Sequence, residues 1–91
     1  MRINIEYRRL NSLRPYENNP RDNEAAISGV AASIRRFGFR SPILIDRDGV
    51  IVCGHTRYLA AQSLGLTEVP CVQLSDLTEE QVKAFRLADN K

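Results

Sequence analysis

Residues 41–71 read SPILIDRDGVIVCGHTRYLAAQSLGLTEVPC, and the punctuation of this stretch decides how the chain folds. Two short apolar, β-branched runs, 42–45 and 50–53, flank Asp46-Arg47-Asp48-Gly49. Asp-Gly suits the turn of a tight hairpin, so these runs are expected to be two antiparallel strands. Cys53 leads into Gly54-His55-Thr56-Arg57 and then YLAAQSLG, good helix formers that stop at Gly65. A buried strand therefore passes through a glycine turn straight into a helix. The start of a helix offers unpaired N–H groups and a partial positive charge, and glycine lets a ligand approach the backbone. In outline this is an anion seat. Thr56 adds a hydroxyl donor, and Arg57 places a cation in the first turn, where the dipole disfavours it unless an anion compensates. A capped helix with a solvated arginine also fits these residues, since no full phosphate-loop pattern follows.

Outward from this stretch, residues 69–74 read as a further strand. Thr78 with Gln81 forms a capping box and Leu77 can staple onto Val82, so a helix is expected over 79–88. On the N-terminal side Ile27, Val30, Ala31, Ile34 and Phe37 recur at helical spacing as far as Gly38. This predicts an amphipathic helix over 24–37, capped by Asp22 or Asn23. Before it, 14–23 (RPYENNPRDN) is an extended polar loop. Residues 3–13 alternate loosely, as a strand followed by a turn. The outcome is a small α/β (α+β) domain with three main helices.

The chain has 91 residues, 43% hydrophobic and 26% charged, which suits one globular domain with a surface site but not separate substrate and cofactor domains. Its abrupt ending, LADNK, reads as an excerpt from a longer protein. The charged N-terminus lacks the apolar core of a signal peptide, and no apolar run approaches the roughly 18 residues of a membrane span, so a cytoplasmic location is expected. Cys53 and Cys71, with a single histidine in the chain, make neither a zinc spacing nor a disulfide framework. Both are expected to be reduced, at least one of them in the core.

Eleven of the thirteen basic residues are arginine, whose planar fork suits phosphate and carboxylate. Residues 1–57 hold ten bases and six acids, whereas 58–91 hold three and five, so the basic face belongs to the first half. Arg35, Arg36 and Arg40 gather at the end of the first helix. The dipole is one sufficient reason for them, and contact with DNA phosphate is the other. Aromatic interleaving and a helix-turn-helix are both missing, so any contact with DNA by this chain is expected to be weak and made through phosphate.

The run from Ser41 to Cys71 resembles the N-terminal domain of the ParB family, which reads as a Q-P-I strand, a hairpin, G-E-R-R and a helix with A-A, then a strand after V-P. Asn19-Pro20-Arg21 resembles that family's N-P-R loop, and AFRLADNK is similar to ParB-like domains that precede phage and plasmid DNA methyltransferases. The resemblance covers about residues 10–91. It implies the mixed fold shared by ParB, sulfiredoxin and a free-serine kinase. It also implies a nucleoside triphosphate, CTP or ATP with Mg2+, lying on the glycine turn. Gly54, His55, Thr56 and Arg57 would then hold the phosphates together with Arg21. A regulatory, DNA-associated module, possible as a homodimer, follows as the first expectation. An NTPase, phosphotransferase or nuclease on the same turn is the alternative, and an interaction domain whose turn is only structural is a third. His55 stands where typical ParB carries an acid, which weakens hydrolysis more than binding because backbone N–H groups hold phosphate without it.

Further candidates are single residues. Glu17 in the polar loop and His55 at the turn are candidate catalytic groups, each with a plain structural alternative as a turn residue or a cap. Asp46 and Asp48 are expected to serve the hairpin turn, and no metal site is assigned. Sulfiredoxins read G-C-H-R-Y; aligned on Arg57-Tyr58, their cysteine falls at His55. Cys53 lies before the glycine and is expected to pack as a small hydrophobe.

Overall fold

The computed structural model describes residues 3–16 and 23–89. In chain order these form β1 (Ile5–Arg9), a single 3-10 turn (Leu10–Ser12), α1 (Glu24–Phe37), β2 (Ile43–Ile45), β3 (Ile51–Cys53), α2 (His55–Ser63), β4 (Glu68–Gln73) and α3 (Glu79–Asp89). The hairpin β2–β3 is antiparallel, as its turn sequence requires. Asp46 Oδ1 accepts from the N–H groups of Asp48 (2.9 Å) and Val50 (3.0 Å), while Gly49 takes the left-handed position at φ +79°. The aspartate is thus a turn former, bonding its own backbone two residues on.

Helix α2 carries the chain from β3 back to β4, which pairs parallel to β2. Strand β1 then adds antiparallel to β4, giving the order β1-β4-β2-β3. Side chains alternate across these strands with period two, except at Cys53 beyond the register shift in the hairpin, and each face receives its own cluster. Ile43, Ile45, Ile51, Val69 and Cys71 pack with Tyr58 and Ala61 of α2. Leu44, Val52, Val72 and Leu74 lie on the opposite face with Val82 of α3. Ile43, Ile45 and Val69 are wholly buried, and side chains of this size each contribute about 1.5–3 kcal/mol.

Local signals act at the helix ends as the sequence indicates. Asn23 Oδ1 accepts from Ala26 N–H at 3.1 Å, so Asn23 is the cap of α1. The capping box of α3 is reciprocal: Gln81 N–H donates to Thr78 Oγ1 at 3.1 Å and Thr78 N–H donates to Gln81 Oε1 at 2.9 Å. Two expectations change. Phe37, counted on the buried stripe of α1, is 58% exposed at the last residue of the helix, while Ala31 in its middle is buried. Arg14, read as the start of an extended polar loop, forms a parallel bridge with Val50: its N–H donates to Gly49 O and its C=O accepts from Ile51 N–H.

Cys71 is completely buried, and that burial pushes its thiol above the ordinary value of 9.0, against a smaller lowering by Arg8. Above about pH 9 the unfolded chain therefore releases this proton more readily than the folded one. Stability from this group is complete below that pH and is lost as pH rises toward the folded-state value, by up to about 1.4 kcal/mol per pH unit. Urea melts on either side of this range should show the extra slope in the wild type and not in Cys71→Ala; equal slopes would refute it.

Candidate functional site

The strand-to-helix turn predicted to be an anion seat is built by β3, Gly54 and α2. Gly54 is the N-cap of α2, at φ +104° and ψ 25°, and among the described residues no side chain caps that helix start. This left-handed conformation turns the chain out of β3 at once and leaves the first N–H groups of α2 at the mouth of the turn. His55, Thr56 and Arg57 follow in the first turn, each half-buried. Tyr58, directly after them, is buried in the core and anchors the helix.

Arg57 does not extend into solvent. Its guanidinium folds back over Gly54, so close that a Cβ there would stand 2.9 Å from Nη2 and 3.2 Å from Cζ. Nη2 donates to the carbonyl of Pro42 at 3.0 Å. This works because β2 and β3 are antiparallel: Leu44 faces Cys53, which brings the entry to β2 beside the exit from β3. Glycine at 54 thus meets two demands together, a positive φ and room for a guanidinium plane against the backbone. The backbone acceptor at Pro42 left no signal in the sequence, since any residue type carries a carbonyl.

His55 lies beside Tyr58, with ring centroids 6.2 Å apart and planes inclined at 30°. Cys53 is half-buried against the Val52–Val72–Leu74–Val82 cluster, in keeping with a packing residue. Arg35 and Arg36 are exposed in the last turn of α1, where the dipole favours them. Arg40 Nε donates to Phe37 O at 2.8 Å, closing that helix end. Arg40 is two residues before Pro42, whose carbonyl Arg57 holds. Glu17 and Arg21 lie outside the described residues. Among the described residues, no group of three or more His, Cys, Asp or Glu side chains is arranged to hold a metal ion.

A second site built around an arginine was not foreseen. Arg86 of α3 stacks on the Tyr16 ring (4.2 Å to its centroid), donates to Ile51 O at 3.2 Å and lies 3.7 Å from Asp46 Oδ2. It ties α3, the hairpin and the start of the polar loop together. Nothing local to Arg86 predicts this, because its three contacts come from distant segments.

The mixed four-stranded sheet, the hairpin and the glycine-opened helix define a small α+β domain of the ParB/sulfiredoxin class. The chain belongs to the ParB N-terminal domain family, whose pattern matches residues 2–91. It is 41% identical over 81 residues to the ParB-like nuclease domain-containing protein YnaK of Escherichia coli K12, an alignment covering 88% of this chain and 93% of that protein. The C-terminally truncated chromosome-partitioning protein ParB from Caulobacter crescentus, complexed with CTP-gamma-S, superposes with a TM-score of 0.80 at 26% identity, over 96% of this chain and 52% of that one. Sulfiredoxin from Arabidopsis thaliana superposes with a TM-score of 0.74 at 26% identity, over 89% of this chain and 94% of that one. No helix among the described residues is long and apolar enough to cross a membrane.

Proposed function

We propose that this domain binds a nucleotide through its phosphates at the Gly54 turn and passes the bound state to a DNA-associated partner domain, either DNA-binding or DNA-methyltransferase, in a longer protein. The observation that carries this reading is the left-handed Gly54 at the start of α2, with the Arg57 guanidinium lying over it. The N–H groups of the first turn accept negative charge with little rearrangement, and Arg57 adds a charge-assisted donor. Thr56 contributes a hydroxyl, and Arg21 of the N-P-R loop a second cation. CTP is the first ligand to test, because the Caulobacter ParB of similar fold was solved with a CTP analogue. The nucleotide's own phosphates would hold Mg2+.

Binding is favoured over turnover by His55, which stands where the family resemblance calls for an acid. His55 and Glu17 stay the residues to test if turnover is found. Calorimetric titration with CTP and with ATP, each with and without Mg2+, followed by assay for nucleoside diphosphate, separates the possibilities. Saturable binding without product is the expected result, product formation favours the enzyme, and no binding of either nucleotide refutes the reading.

Contact with DNA is expected to run through Arg35, Arg36 and Arg40. Binding of duplex DNA by the chain alone should be weak, indifferent to sequence and steeply reduced by salt, because phosphate contacts release counterions. Substituting all three arginines with alanine should flatten the salt dependence. A strong preference for one duplex over scrambled competitors would show a base-reading element beyond these arginines.

A further inference from the structure

β1 is the outer strand of the sheet, paired with β4 on one side and with no strand on the other among the described residues. The Leu10 N–H donates to Thr67 O at 2.9 Å, in continuation of the register that pairs Ile5 with Val72, and this sets the phase of the ladder. Backbone groups alternate along an antiparallel strand, so Glu6 and Arg8 turn theirs toward β4. Ile5, Tyr7 and Arg9 turn theirs to the open edge. Such an edge is a template for a further strand. Ile5 and Tyr7 are 56% and 66% exposed on the side they share with Val72 and Pro70, the face on which Val82 of α3 packs with Val52, Val72 and Leu74.

We propose that this edge is a dimer interface, in which β1 pairs antiparallel with β1 of a second copy of this chain about a two-fold axis at Tyr7. The charge pattern of Ile5-Glu6-Tyr7-Arg8-Arg9 selects both the occupant and the register. With the axis at Tyr7, Glu6 of each copy faces Arg8 of the other, Tyr7 faces Tyr7, and Ile5 lies opposite Arg9. Tyr7, whose backbone groups point outward, then forms the hydrogen-bonded pair, and Glu6 with Arg8 occupies the pair in which side chains stand closest. The nearest registers that keep each side chain on its own face move the axis to Glu6 or to Arg8. Either sets like charges directly opposite, which is destabilising. Within one chain Arg8 Nη2 already reaches Glu6 Oε1 at 2.7 Å, so both side chains lie on one face and are long enough to pair across the axis.

The test is a charge exchange read by sedimentation equilibrium of the 91-residue chain at low salt. The wild type is expected to dimerise reversibly, more weakly as salt screens the two ion pairs. Glu6→Arg alone and Arg8→Glu alone each place like charges at both crossings, raising the dimer Kd about tenfold or more. An equimolar mixture of the two variants should dimerise as the wild type does, because opposite charges then meet again. Tyr7→Pro removes an outward N–H without breaking a bond to β4 and should abolish the dimer, with circular dichroism confirming its fold. A wild type that stays monomeric up to about 1 mM, a dimer indifferent to all three substitutions, or folded charge variants whose mixture stays monomeric would each overturn the proposal.

Discussion

Substituting Gly54 with alanine is expected to lower folding stability by about 1–3 kcal/mol, the cost of holding an ordinary residue in a sparsely populated conformation. At φ +104° any Cβ is strained, and this one would also stand 2.9 Å from the Arg57 Nη2. The guanidinium is the far end of a flexible side chain and can move, but moving it gives up the 3.0 Å bond to Pro42 O. For a domain of this size the melting temperature should fall by roughly 4–8 °C per kcal/mol. Nucleotide affinity should fall as well, because the new methyl group occupies the approach to the α2 N–H groups and displaces Arg57 together. A double-mutant cycle separates the two causes. If Arg57 is already alanine, Gly54→Ala should cost only the backbone strain, so the two changes should be less than additive. Strict additivity would mean that the guanidinium and the glycine do not depend on each other.

Arg57→Ala carries the second large effect, a loss of about 1.5–3 kcal/mol in nucleotide binding, the worth of a hydrogen bond to a charged group. The fold should survive, since the side chain is half-buried at the surface and α2 is anchored by Tyr58, Ala60 and Ala61. Arg57→Lys keeps the charge but cannot grip the Pro42 carbonyl and a phosphate with one planar fork, so it should recover only part of the affinity. Calorimetry on the folded variants decides the matter. Unchanged affinity in Arg57→Ala would remove this residue from the site and leave it as a strut between β2 and α2.

Much of the site was legible because its signals are local. The hairpin follows from Asp46 to Gly49, the helix start from Gly54, and the cap of α3 from Thr78 and Gln81. Each depends on hydrogen bonds between residues at most a few positions apart. The position of Arg57 was legible only as far as its place in the first turn of α2. Its conformation depends on the Pro42 carbonyl, fifteen residues earlier in the chain, which is adjacent because β2 and β3 pair. The same limit explains Arg86, whose partners Tyr16, Asp46 and Ile51 meet only when α3 docks on the hairpin.

By itself the sequence determined the identity and order of the elements, the ends of α1 and α3, the turn chemistry of the hairpin and the placement of a glycine before α2. Periodicity and capping act within one or two turns of chain, so they can be read without knowing what lies opposite. Tertiary structure alone decided that β4 sits between β1 and β2, that Arg14 borders β3, that Phe37 is left in solvent and that β1 is the outer strand among the described residues. Those outcomes rest on pairings between residues as distant as Ile5 and Val72. The backbone groups that make such pairings are common to nearly every residue, and only the competition among whole packed arrangements selects one.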